Sequence, residues 1–203
     1  MCSSTIEIMY SLALHKTKVQ WVFVALGLTA GVLVLVFAFC YGLFQYGDNC
    51  GYLTLGMAFA RGKGFTDIAI PGNPHFLWWP PGFPLFVSLF YTVLGARWVI
   101  LKLLIFGLLY VGFLGFAGII RDREGNGPKA AAVLLVLSVS APIHLLSSYL
   151  YSETFFVAAS LFFFVLWHRW RNRLNGRKVL LLSLLALYVG AVRNVGIALP
   201  LAL

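Results

Sequence analysis

Four ionisable residues lie beside or inside long apolar stretches, where a charge is costly and therefore suggests a function. Asp48 follows a run from Trp21 to Phe44 without a charged residue, and the other three are Lys102, Glu153 and Arg193. A carboxylate can take the proton from an attacking hydroxyl group. Arginine and lysine can hold a leaving phosphate and neutralise its charge. Together these residue types predict a reaction on a lipid-linked phosphate.

Each of the four also has a simpler structural interpretation, which stays open at this stage. Asp48 fits the N-terminus of a short amphipathic helix over 48–60, where the helix dipole favours a carboxylate. Glu153, or the serine before it, fits the N-terminus of a later helix. Arg193 and Lys102 could extend their charged ends to the membrane interface.

The composition identifies the class of protein. Of 203 residues, 61% are hydrophobic and only 10% are charged, far from the composition of soluble domains. The net charge of +9 does not indicate nucleic-acid binding, because Lys and Arg cluster between apolar segments, where they orient a membrane protein. We therefore expect an all-α polytopic membrane protein. The three cysteines are too few and too irregularly spaced for a disulfide framework or a zinc site.

Five segments are candidates for transmembrane helices, since a crossing needs about 20 apolar residues. They are residues 19–44, 98–120, 130–149, 154–168 and 179 to about 200. The first is too long for the core of a signal peptide, so we expect it to remain as an anchor.

A sixth apolar piece, residues 82–96, decides the topology. If it does not cross, all basic segments fall on the cytoplasmic side, as the positive-inside rule requires. We therefore predict a re-entrant or surface-lying helix there, which fits the prolines at its start. Residues 1–18 then form a cytoplasmic segment and 45–97 an outer loop with surface helices. Asp48, Glu153 and Arg193 all fall near the outer surface.

The sequence resembles a known family at several places. "GDNCGYLTLGMAFARGKGF", "HFLWWPPGFPLFVSLFYTVLGA", "YSETFF" and "AVRNVGI" are similar to the N-terminal part of membrane glycosyltransferases of the C-type fold. That group contains protein O-mannosyltransferases and lipid A aminoarabinose transferases. The resemblance extends from Val19 to Leu203 and implies a transmembrane glycosyltransferase-like domain over 19–203.

By this resemblance Asp48 is the catalytic base. Glu153 matches an acidic residue at the outer end of a later span and is the second predicted catalytic residue, which supports or positions the acceptor. Arg193 is expected near the phosphate of the donor, with Lys102 beside it. The predicted substrate-binding set also includes Tyr52, which shares a helix face with Asp48, Lys63 in "GKGF" and His75 in "GNPHFLWWPPGFP". A lone loop histidine is more often structural, and the adjacent tryptophans fit an interfacial belt.

The sequence departs from the family at two points. Asn49 stands where many members carry a second acidic residue, which counts against a mechanism or metal site that needs adjacent carboxylates. The chain is also shorter than such enzymes, so we expect a C-terminal truncation. No metal ligand set and no certain cofactor are predicted, and participation of a divalent metal is left open.

The predicted activity is transfer of a hexosyl or pentosyl group from a polyprenyl-phosphate donor to a protein, lipid or glycan acceptor. The location implied is a prokaryotic cytoplasmic membrane with the site facing outward, in contact with membrane lipids and without nucleic acid. The alternative is a non-catalytic membrane protein that binds or transports a lipid carrier, or an inactive fragment. A transporter would place its charges near the bilayer midplane between repeats, whereas here they fall at one surface.

Overall fold

The computed structural model describes residues 21–22, 25–29, 31–33, 36, 48–76, 78–125, 127–140, 142–143, 146 and 149–198. Within these ranges the fold is all-helical, without a β-strand, which confirms the predicted all-α class. The bounded helices are α1 Asp48–Ala60, α2 Gly82–Leu94, α3 Trp98–Glu124, α4 Gly127–Ser138, α5 Ser152–Trp170 and α6 Gly176–Val192, followed by a 3-10 helix, Asn194–Ile197. The predicted segment 1–18 and residues 199–203 lie outside the described part.

The helix ends follow from local sequence. The prolines before α2 and Pro84 in its first turn suit a helix start, where a missing N–H costs nothing. Gly125 ends α3 with a positive φ of 61° and donates its N–H to the carbonyl of Arg121, a conformation that favours glycine. Asn175 caps α6 by accepting a hydrogen bond from the N–H of Lys178 at 3.0 Å. These caps fix where the basic loops begin and end.

One described helix is long and apolar enough to cross a membrane. This is α3, with 27 residues and a length of about 40 Å. Helix α2 has 13 residues, about 20 Å, which is shorter than the roughly 30 Å hydrocarbon layer. The predicted spans at 154–168 and 179–200 correspond to α5 with 19 residues and α6 with 17. Five crossings therefore stay a prediction, while the short helix at 82–96 is present.

The long helices alternate in direction. Gly112 of α3 packs against Leu161 of α5, and Gly115 packs against Val165, so these two helices run parallel. Helix α4 packs back along α3 through a cluster that includes Leu109, Phe113 and Leu134. Helix α6 packs back along α5 through Phe163, Leu182 and Ala186. The described residues of the first apolar run are helical, and Gly27 lies against α4.

This arrangement gives the bundle two distinct ends. At one end lie the starts of α3 and α5 and the C-terminus of α6, packed around Leu101, Phe155 and Val192. We call it the acidic end, because Asp48 and Glu153 belong to it. At the other end, the α3–α4 and α5–α6 connections together with the helix turns that flank them carry eight of the 15 Lys and Arg residues. We call that the basic end.

Helices α1 and α2 form a parallel pair at the acidic end. Tyr52 contacts Phe83 with ring centroids 5.2 Å apart, and one turn later Gly56 meets Val87. Two helices that follow each other in the chain can run parallel only if the connection returns along them. The loop after α1 does so, with the backbone of Phe76 bonded to that of Phe65.

Candidate functional site

The acidic end contains an ion pair that the sequence did not predict. A guanidinium nitrogen of Arg193 contacts carboxylate oxygen Oε1 of Glu153, and these side chains are 37% and 35% exposed, respectively. Glu153 lies in the first turn of α5, and Arg193 is the residue at which α6 ends. Two residues forty positions apart thus meet because their helices are antiparallel neighbours. The pair is reachable from solvent, so water screens it in part.

A chain of hydroxyl groups connects this ion pair to α1. The phenol oxygen of Tyr52 lies 3.0 Å from Oγ of Ser152, and Ser152 Oγ lies 3.5 Å from Oε2 of Glu153. Both Tyr52 and Ser152 are buried. A buried polar chain of this kind is favourable only because its members satisfy one another. It fixes α1 against the start of α5.

Asp48 begins α1 one turn before Tyr52 and is exposed. A carboxylate in a first helical turn is stabilised by the helix dipole, as the structural interpretation of the sequence anticipated. Asp48 joins none of the ion pairs formed between described residues. Its carboxylate is therefore open to solvent and to an incoming group.

Two tyrosines lie within the electrostatic influence of both carboxylates. Burial raises the pKa of Tyr52 above its ordinary value of 10.0, the bond to Ser152 lowers it, and the charges of Asp48 and Glu153 raise it. Burial also raises the pKa of Tyr151, and the same two carboxylates act on it in the same direction. Both phenols are thus neutral at pH 7 and can donate a proton in a hydrogen bond but cannot serve as bases there.

An aromatic wall supports the N-terminal half of α1. The ring of Trp79 occupies the space where a Cβ of residue 51 would lie, so Gly51 is needed for this contact. The same ring lies 4.6 Å from that of Tyr52 and 5.0 Å from that of Phe76. Since aromatic pairs at such distances contribute beyond their buried area, the wall holds the start of α1 in place.

Gly82 determines how α2 meets the end of α6. A Cβ built on Gly82 would lie 2.6 Å from the backbone nitrogen of Val192 and 2.8 Å from the carbonyl oxygen of Ala191. The hydroxyl of Tyr188 donates to the Gly82 carbonyl at 3.0 Å. The "PPGFP" segment therefore rests directly on the turn that presents Arg193.

Lys102 is placed differently from the other cation. It is only 4% exposed and lies one residue after Leu101, a member of the cluster that includes Tyr52 and Phe155. Lys102 is thus buried on α3 near the acidic end. The simpler interpretation, in which its charged end reaches the membrane interface, does not fit this burial. Its predicted role in binding phosphate stays a prediction.

Lys63 and His75 belong to the loop between α1 and α2. Both are exposed, and His75 forms an isolated backbone bridge with Thr66. Lys63 follows the far end of α1, which from Asp48 to Ala60 rises about 18 Å. The structure therefore does not bring Lys63 together with Asp48.

Sequence reasoning missed Ser152, Tyr151 and Tyr188 as parts of this site. The motif "YSETFF" did contain a signal, because a serine beside a glutamate at a helix start is a hydrogen-bonding pair. That signal was interpreted as a helix cap, but the N-cap of α5 is Tyr151, whose side chain makes no capping bond. Ser152 bonds across to α1 instead.

No group of three or more His, Cys, Asp or Glu side chains comes together in the part of the chain that the structure describes. The candidate site is therefore built from two carboxylates, one arginine and several hydroxyl groups.

Comparison with known proteins adds no assignment: no protein-family model, no curated protein and no solved structure matches the chain. The function of the site has therefore to be inferred from its own residues.

Proposed function

We propose that this protein is a membrane glycosyltransferase that moves a sugar from a polyprenyl phosphate to an acceptor hydroxyl or amine group. The observation that carries the proposal is the convergence at one end of the bundle of an exposed carboxylate, Asp48, and a second carboxylate paired with an arginine, Glu153 and Arg193. These groups come from α1, α5 and the end of α6, which are separate in sequence.

The proposed reaction assigns one step to each group. Asp48 accepts the proton of the acceptor as the acceptor oxygen or nitrogen attacks the anomeric carbon. The bond between that carbon and the phosphate oxygen breaks, and polyprenyl phosphate leaves with the bonding electrons. Arg193 donates hydrogen bonds to the phosphate and offsets its growing charge. Glu153, held in place by Tyr52 and Ser152, supports and positions the acceptor.

A membrane location supports this substrate class. The apolar composition and α3 are suited to a bilayer, and a polyprenyl chain is soluble only there. The basic connections lie at the end opposite the acidic groups, so the positive-inside rule would turn the site outward, away from the cytoplasm. In a prokaryote this places the protein in the cytoplasmic membrane. Its acceptor would then be a protein, lipid or glycan outside the cell or in the periplasm.

The test is Asp48→Asn in membranes supplied with a panel of polyprenyl-phosphate sugars and measured by release of free polyprenyl phosphate. We expect release to fall to background while the amount of protein in the membrane stays unchanged. Asp67→Asn is the matched control, because Asp67 is an aspartate in the connection that follows α1 and its Oδ1 accepts from the N–H of Ala69, a bond that asparagine can keep. Release at the wild-type rate from Asp48→Asn would refute the assignment of the base.

One observation favours a second candidate function. Arg193 is already paired with Glu153. A protein that only binds a phosphate needs a cation that can exchange its carboxylate partner for the phosphate, and it needs no catalytic base. A protein that binds a lipid carrier without turnover would therefore also fit. In that case polyprenyl phosphate binds in an Arg193-dependent manner, while no sugar is released with any donor and Asp48→Asn changes nothing.

A further inference from the structure

A cavity of about 320 Å³ lies at the basic end, between α3, α4 and α5. Its walls are apolar and include Leu114, Leu134 and Val165. This volume is at the lower end of the range of small-molecule sites, roughly 300–1,000 Å³. The cavity lies at the far end of the bundle from Asp48 and takes no part in the proposed transfer.

The mouth of the cavity carries an excess of cationic and hydrogen-bonding groups. Arg121, Asp122, His168 and Arg169, in the last turns of α3 and α5, line the cavity together with Trp21. Asp122 offsets Arg121 only weakly, because their contact is 3.4 Å long and both side chains are more than half exposed. Nδ1 of His168 is buried and has no hydrogen-bond partner among the residues described. Buried polar atoms of this kind are normally satisfied, so the contacts of the fold alone do not account for the position of this ring.

A glycine keeps the cavity open. A Cβ built on Gly118 would meet nothing within 4 Å, although Gly118 lines the cavity and Gly115, one turn earlier, packs against Val165. Glycine in a helix interior is unfavourable by about 1 kcal/mol relative to alanine, and no neighbour requires it here. The space above Gly118 is thus available to another molecule.

We propose that this cavity binds an anionic phospholipid of the leaflet at the basic end. Its phosphate contacts Arg121, Arg169 and the ring of His168, and its glycerol region and the first part of one acyl chain lie along the apolar walls. A zwitterionic lipid fits less well, because its own cation would meet the two arginines. Apolar walls below a cationic rim match an amphiphile rather than a free anion.

The experiment is native mass spectrometry of the purified full chain in detergent. It is titrated with a phosphatidylglycerol and, separately, with a phosphatidylcholine that has the same acyl chains. We expect the wild type to bind the phosphatidylglycerol about tenfold more tightly, because both lipids offer the same phosphate but only phosphatidylcholine brings a cation against the two arginines. Gly118→Leu fills the cavity and should lower that affinity at least about tenfold. Gly107→Leu, the same change on the same helix at another open position, should not.

A second pair of variants keeps the test decisive if the cavity-filling variant folds poorly. Arg169→Gln should remove the preference for the anionic lipid, while Arg173→Gln, at an exposed arginine four residues later in the α5–α6 connection, should leave it. Equal binding of both lipids by the wild type would overturn the proposal. So would equal losses for Gly118→Leu and Gly107→Leu. Equal losses for Arg169→Gln and Arg173→Gln would indicate general attraction to a basic surface, which also overturns it.

Discussion

The ion pair between Glu153 and Arg193 provides the most informative test of the candidate site. If Arg193 holds the phosphate of a lipid carrier, its guanidinium must either break its ion pair with Glu153 or contact the carboxylate and the phosphate at the same time. Replacing Glu153 by Gln then frees the guanidinium and removes a nearby negative charge. We expect Glu153→Gln to bind a short-chain polyprenyl phosphate more tightly than the wild type does.

The magnitude follows from the exposure of the pair. Both side chains are more than a third exposed, and exposed ion pairs contribute about 0.2–1 kcal/mol. Relief of that competition should improve the affinity by about 1.4- to 5-fold. Arg193→Gln removes a charge-assisted hydrogen bond to the phosphate and should weaken binding by about 10- to 150-fold. The free energy of unfolding should fall by no more than about 1 kcal/mol in either variant.

The assay is equilibrium binding of the carrier to purified protein, with thermal unfolding measured on the same samples. Glu124→Gln is the matched control, because Glu124 pairs with Lys129 at 2.7 Å at the opposite end of the bundle. This variant should bind the carrier as the wild type does. If Glu153→Gln weakens binding as much as Arg193→Gln, then Glu153 orients Arg193 and does not compete for it, and the reasoning is refuted. Unchanged carrier binding in Arg193→Gln would show that Arg193 does not form a phosphate site.

Two further predictions concern the support of the site. Gly82→Ala should weaken carrier binding and lower stability by about 1–3 kcal/mol, because its Cβ would meet the backbone of Val192 at 2.6 Å. Gly107→Ala, with no neighbour in reach, should leave binding unchanged and stabilise the helix by up to about 1 kcal/mol, and equal effects in the two variants would contradict the packing argument. Burial raises the pKa of Tyr52 above 10.0, so the Tyr52 phenol loses its proton at a lower pH in the unfolded chain than in the folded one. The stability that the buried neutral phenol contributes is therefore complete below about pH 10 and is lost as the pH rises further. The thermal stability of Tyr52→Phe should therefore decline less steeply than that of the wild type above pH 10, and parallel declines would show that Tyr52 is not buried as a neutral phenol.

The helices were largely predictable from the sequence, whereas their contacts were not. Apolar runs with basic or glycine-rich ends indicated the short helix at 82–96 and the long one at 98–120, and both are present as α2 and α3. The end of α6 was predicted near residue 200 but occurs at Val192. Hydrophobicity continues past that point, while the backbone turns at Arg193, where α2 packs against it.

The pairing of Glu153 with Arg193 and of Ser152 with Tyr52 depends on the register between helices. That register is determined by close approaches such as Gly82 on Ala191 and Gly56 on Val87, which involve residues far apart in the chain. Periodicity within a segment contains no information about such contacts. For the same reason the burial of Lys102 could not be predicted from its position in α3.

The six tryptophans divide between the two ends of the bundle. Trp78, Trp79 and Trp98 lie around the acidic end, and Trp21, Trp167 and Trp170 lie at the basic end. The two groups are separated by most of the length of α3, about 40 Å, so each indole band would meet a different headgroup layer. Intrinsic tryptophan fluorescence can therefore report the depth and orientation of the protein in the membrane without a label. A quencher confined to one leaflet would quench the emission of one group of tryptophans and leave that of the other unchanged.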